Sequence, residues 1–139
     1  MQRRKAREFV LRLLYQREFV DASLEESLAD IEPGEQRLYI EQTFQGIVDH
    51  LAEVDALISE HAVGWRVERL AVIDRNILRL GLFELLHEPD IPAEVAMDEA
   101  VELSKKYGTE HAQVFINGIL DRVWKSSSTR AMESPPRPG

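Results

Sequence analysis

A chain of 139 residues is long enough for one compact domain with its own hydrophobic core, and the absence of cysteine excludes disulfides, thiolate metal sites and thiol catalysis. Apolar residues make up 44%, ordinary for a globular protein, and no apolar run reaches the 18 or so residues needed to span a bilayer. The net charge of −8 argues against a nucleic-acid partner until its placement is considered, because residues 1–17 carry Arg3, Arg4, Lys5, Arg7, Arg12 and Arg17 against the single acid Glu8. A phosphate backbone responds to local potential within a Debye length of about 8 Å, not to the whole-chain charge.

Residues 3–20 predict an amphipathic helix. Ala6, Phe9, Val10, Leu13 and Leu14 follow the i, i+3, i+4, i+7 spacing of one buried face. At about 100° per residue, Arg4, Arg7, Leu11 and Tyr15 fall on the opposite side. A basic start followed by apolar residues also opens a signal peptide, but Glu8 and Arg12 interrupt the stretch and no small-residue cleavage site follows. Ser23-Leu24-Glu25-Glu26 is a capping-box pattern opening a short helix through about Ala29, and Pro33-Gly34 marks a turn. A third helix starts near Glu35, with Leu38, Tyr39, Phe44, Ile47, Val48 and Leu51 as its core face. A fourth covers Ala52 to Ala62, and the pattern leaves open whether the two are continuous. Gly64-Trp65 reads as a boundary between two small helical halves.

Leu70 to Leu86 is apolar nearly all round, which predicts a helix buried in the middle of the fold. Pro89 and Pro92 end it and start the next, whose acids Glu94, Asp98 and Glu99 suit its N-terminal half and whose Lys105 and Lys106 suit its end. Gly108 is the expected C-cap, and Thr109 the expected N-cap of a last helix through about Trp124. The Ser/Pro-rich stretch 126–139 is expected to be disordered. The whole predicts an all-α fold of about six to seven helices in two small helical subdomains, over residues 1–125, with halves at about 1–63 and 64–125.

No Gly-rich phosphate loop, nucleophile elbow or His-Glu-x-x-His zinc motif is present. Glu84-Leu-Leu-His87 has the Glu-x-x-His spacing of di-iron bundles, but such a site needs two copies and two further glutamates. It reads as an ordinary polar pair, with Glu84 finding a hydrogen-bond partner inside the fold. The expectation is no enzyme, no cofactor and no metal.

Two clusters point to RNA. Arg3-Arg4-Lys5-Ala6-Arg7 places four cations in five residues of one helix, and arginine forks grip phosphate bidentately. Lys105-Lys106-Tyr107-Gly108, followed by His111 and Phe115, joins two helices and offers cations, rings and the N–H groups of a helix start. Single-stranded RNA takes such a mixture, since phosphates need cations and splayed bases need rings to stack on. About four to five phosphates within reach of these cations imply a slope of log K against log salt near −3.

At these residues the chain resembles the NusB (N-utilization substance B) family. The resemblance rests on Arg3-Arg-Lys-Ala-Arg-Glu8 running on to Leu14-Tyr15, on Trp65 and Arg69-Leu70, and on Ile73-Asp-Arg-Asn-Ile-Leu-Arg-Leu80 with Phe83-Glu84-Leu85. It is densest in Asp90-Ile-Pro92, Asp98-Glu-Ala100, Leu103-Ser-Lys-Lys-Tyr-Gly108 and Phe115-Ile-Asn-Gly-Ile-Leu-Asp121. It implies an all-α fold of two helical bundles, and a cytoplasmic transcription antitermination factor. The implied partners are boxA, a single-stranded element of ribosomal RNA operon leaders, the small-subunit ribosomal protein NusE, further antitermination factors and RNA polymerase. By matching positions it carries RNA contact onto Arg3, Arg4, Arg7, Tyr107, His111 and Phe115, with Lys5 as a further candidate. Tyr15 and Asp74 fall where the family meets NusE. Val114 and His111 depart from residues that some members carry there, and some members form homodimers. Two other readings are a protein-only helical adaptor and the RNA-binding module of an rRNA methyltransferase-like protein.

Overall fold

The computed structural model describes residues 1–62, 64 and 66–133, the last six of these (128–133) for their backbone only. Among the described residues seven α-helices appear in chain order: α1 (Arg3–Arg17), α2 (Leu24–Leu28), α3 (Arg37–Asp49), α4 (Leu51–His61), α5 (Val72–His87), α6 (Ala93–Tyr107) and α7 (Ala112–Glu133). Short 3-10 turns at Gly34–Gln36 and Val67–Arg69 lead into α3 and α5, and no strand occurs among the described residues. Trp65, part of the expected boundary, lies outside the described residues.

The apolar character of α5 has the expected result. It packs against α1, α3, α4, α6 and α7, and Ile77, Leu78, Leu80 and Leu82 are at most 1% exposed. Burying such a side chain contributes about 1.5–3 kcal/mol, so this helix organises the core. The buried apolar residues form one cluster running from Ala6 to Val123, drawing on both halves of the chain.

Local chemistry sets the helix limits. The Ser23 hydroxyl accepts from the Glu26 N–H at 3.1 Å, the bond that the capping pattern predicts. His50 breaks the 37–61 stretch into two helices, with φ −106° and ψ 16°. α7 passes the expected end near Trp124 and continues to Glu133, so residues 126–133 are helical rather than irregular. Ser126 to Thr129 are only mildly unfavourable in a helix, Ala131, Met132 and Glu133 include strong helix formers, and no proline occurs between Pro92 and Pro135. Residues 134–139 lie outside the described residues.

Two core assignments are corrected. Leu38 is 62% exposed and Ile40 takes the buried place in α3. Leu11, expected opposite the core, is 2% exposed, because α3 and α5 both pack on α1 and widen its buried arc.

A partly buried ionic knot ties α4 and α5 to Glu18 at the end of α1. The Arg79 guanidinium donates from Nε and Nη2 to the two Asp55 carboxylate oxygens at 2.9 and 2.8 Å, and from Nη1 to Glu18 at 2.7 Å. Arg75 adds a second donor to Glu18 at 3.1 Å. Desolvation pulls the Glu18 carboxyl toward its neutral form, but Arg79 and Arg75 outweigh it and hold the group below its ordinary range.

Candidate nucleic-acid interface

The first helix divides its cations between surface and interior. Arg3, Arg4, Lys5 and Arg12 are exposed, whereas Arg7 is 5% exposed. The Arg7 Nε donates to both Glu84 oxygens, at 2.9 and 3.2 Å, and the Tyr39 hydroxyl donates to Glu84 Oε1 at 3.0 Å. Desolvation pulls the Arg7 pKa down, but the hydrogen bond and charge of Glu84 overcome it and the net shift is upward. Burial and the Glu84 charge push the Tyr39 phenol far above its usual range, so it stays a donor. The expectation that Glu84 finds an internal partner is met, but at the expense of Arg7. Expected beside Arg4 on one exposed face, Arg7 is instead the buried counter-charge of the core carboxylate.

Four of the exposed cations already have partners. Arg4 pairs with Glu99 at 3.0 Å, Lys106 with Glu8 at 2.7 Å and Lys105 with Glu102 at 3.3 Å. Arg3 donates to Gln36 at 2.6 Å, its guanidinium 4.1 Å from the Tyr39 ring centroid. The Glu8–Lys106 pair is structurally informative, because it joins α1 to the end of α6 across 98 positions of chain. Desolvation pulls the Glu8 carboxyl up, yet hydrogen bonding by Lys106 and Tyr107 with the charges of Lys106 and Lys5 holds it below its ordinary range.

This clamp brings the two basic clusters together. A cleft of about 590 Å³ is walled by Lys5, Glu8, Phe9, Arg12 and Tyr15 of α1, with Tyr107 of α6 and Ile73 of α5. A second depression of about 300 Å³, sharing Glu8, holds Arg4, Lys105 and Lys106. Tyr107 is 41% exposed, with the Lys106 ammonium 5.3 Å from its ring centroid. Tyr15 is 42% exposed and packs on the 63% exposed Phe19, ring centroids 5.0 Å apart.

The turn after Tyr107 is built for close packing. Gly108 is the C-cap of α6 that its position predicts, with an extended rather than left-handed backbone at φ −74°. It is needed for space, since a Cβ there would lie 2.6 Å from the Ser104 carbonyl oxygen and 3.1 Å from Asp74. Asp74, placed by the resemblance at a protein contact, is 2% exposed and accepts from the Thr109 N–H at 3.0 Å and from the Thr109 hydroxyl. It pins the α6–α7 turn from inside, and Thr109 answers it rather than capping α7. His111 stands just before α7 with φ 68°, a left-handed conformation, and its side chain is 83% exposed. Phe115 is half-buried against the core, and neither it nor His111 lines the cleft.

Residues 4–125 match the NusB family over nearly the whole described chain. The chain belongs to that family. Transcription antitermination protein NusB of Pseudothermotoga lettingae is 44% identical over 128 residues, covering 89% of this chain and 91% of that protein. Among solved structures, T. maritima NusB superposes with a TM-score of 0.81 at 42% identity, over 90% of this chain and 92% of the other. A chain in the crystal structure of antitermination factors NusB and NusE in complex with dsRNA gives 0.77 at 28% identity, over 91% and 99%.

Sequence reading missed Arg12 and Glu8 as parts of this cleft. The signal was available, because Lys5, Glu8 and Arg12 are spaced i, i+3, i+7 and share one helix face.

Proposed function

We propose that this chain is a non-enzymatic, cytoplasmic transcription antitermination factor that binds single-stranded boxA-type RNA together with the ribosomal protein NusE. Family membership supports the role. The observation that carries the surface is the convergence of the α1 cations and Tyr107 on one cleft, clamped by Glu8 and Lys106. Arg3, Arg4, Lys5, Arg12, Lys105 and Lys106 would face phosphates, and Tyr107 would stack a base at about 1–3 kcal/mol. His111, exposed at the start of α7, would add a polar contact. Arg7 supports this surface from beneath, and Asp74 fixes the turn that presents Tyr107. Tyr15 and Phe19, exposed at the other end of α1, are the apolar spot for NusE, while the wider assembly includes further antitermination factors and RNA polymerase.

The test is an anisotropy titration with a boxA-like single strand, a scrambled strand and a duplex, with and without NusE. Preferential binding of the boxA-like strand, tightened by NusE and weakened by Tyr107→Ala, is expected. Equal binding of all three RNAs, or an unaffected Tyr107→Ala variant, would reject the surface. Loss of RNA binding with NusE binding retained in the wild-type protein would favour the protein-only adaptor.

A further inference from the structure

His87 and Glu84 share α5, but the fold separates their roles. Glu84 serves Arg7 and Tyr39, whereas His87 meets two residues that sequence spacing does not suggest. Its Nε2 lies 3.2 Å from Glu53 Oε1, and its ring centroid is 4.4 Å from that of His50. One ligand atom from each of His50, Glu53 and His87 lies within 4.8 Å of the other two. Two of the four histidines in the chain thus converge on one carboxylate.

We propose that His50, Glu53 and His87 form an open three-ligand site for a divalent ion of the zinc class, against the sequence expectation of no metal. The ligand set suits it, since imidazole nitrogen with one carboxylate favours zinc-class ions over magnesium or calcium. His50 has the second hydrogen bond that metal-bound imidazoles characteristically make. Its Nδ1 lies 2.8 Å from the Gly46 carbonyl oxygen, so Nδ1 carries the proton and Nε2 keeps a lone pair for the ion. The rings are also held in place. Phe83 stacks on His87 with centroids 5.3 Å apart and lies 6.0 Å from His50. Phe83 fits only because residue 46 is glycine, where a Cβ would meet the ring edge at 2.3 Å. Tetrahedral zinc with bonds of about 2.0–2.2 Å sets its ligand atoms roughly 3.4 Å apart. The His87–Glu53 spacing of 3.2 Å meets this already, all three ligand atoms lie within 4.8 Å of one another, and the Glu53 side chain is 49% exposed and has room to adjust. That exposure leaves a coordination position for water. The ion would join the α3–α4 junction to the end of α5. Asp74, near the opposite end of α5, is on the order of 20 Å away along the helix axis, so the site stands apart from the turn that presents Tyr107.

The probe is zinc ion alone, titrated calorimetrically into tag-free, chelator-stripped full-length protein, with cobalt(II) as an optical reporter of tetrahedral coordination. One equivalent per chain is expected, with a visible cobalt band. His87→Ala and His50→Ala should each weaken binding at least tenfold, and Glu53→Gln severalfold. Replacing His61 and His111 together should change nothing. Circular dichroism in the absence of metal checks that each variant folds, and the exposed Glu53→Gln variant keeps the test decisive if a histidine variant does not. Absence of saturable zinc uptake, or uptake undiminished by Glu53→Gln and by either histidine replacement, overturns the proposal.

Discussion

Arg7→Ala tests the split between surface and buried cations most directly. The change removes the guanidinium whose Nε holds both Glu84 oxygens and leaves a carboxylate of 3% exposed side-chain area with only the Tyr39 hydroxyl. Breaking one side of a buried pair costs about 3–5 kcal/mol, because the remaining charge is neither hydrated nor paired. The unfolding entropy of a chain of 139 residues is about 0.3 kcal/mol/K at roughly 2.1 cal/mol/K per residue, so the melting temperature should fall by about 10–17 °C. Thermal circular dichroism measures this. The double change Arg7→Met with Glu84→Leu should recover most of the loss, since apolar residues of similar volume can replace a buried pair. Well below its melting point, Arg7→Ala should lose less RNA affinity than Arg4→Ala. An unshifted melting temperature combined with loss of RNA binding would refute the assignment and make Arg7 a phosphate anchor after all.

Glu99→Gln should raise affinity for the boxA-like strand severalfold at low salt, since Glu99 is the carboxylate occupying Arg4, and an unchanged titration curve would show that the pair does not compete with RNA. Tyr15→Asp should weaken NusE binding more than binding to isolated RNA, and pull-down with NusE beside RNA anisotropy separates the two. Glu18 is held below its ordinary pKa of 4.5 in the folded chain, so the unfolded chain binds more protons and stability rises with pH there. Its contribution is complete above about pH 4.5 and is lost as pH falls through the depressed folded value, so Glu18→Gln should flatten the acid limb of a denaturation-against-pH profile.

The helices were legible because each carries its own apolar period, and α5 announced its burial by being apolar on every side. Helix boundaries that depend on neighbours were less so. Gly108 ends α6 as its position predicts, but the need for glycine there comes from the close approach of Asp74 and Ser104, which no local pattern signals. Arg7 was misplaced because a helical wheel shows which residues share a face and not how many helices cover that face. A clue existed in Glu84, since a carboxylate on an all-apolar helix demands a buried donor, and α1 supplied the spare arginines. The family resemblance alone linked the α1 cations to Tyr107, and the convergence of His50 with His87 was hidden by sequence separation.

The ion pairs on the proposed RNA surface would change what salt does to this protein. When Arg4, Lys105 or Lys106 turns toward a phosphate, Glu99, Glu102 or Glu8 is left without its intramolecular cation. Those orphaned carboxylates draw cations back from solution while the RNA releases its own. Binding is therefore an exchange of anions at a fixed set of cations, and the net ion release is smaller than the number of phosphates touched. The slope should be shallower than the −3 or so that four to five phosphates would give on their own. A polyanion that offers only charge gains little from such an exchange, which leaves discrimination to strands that also supply a base for Tyr107.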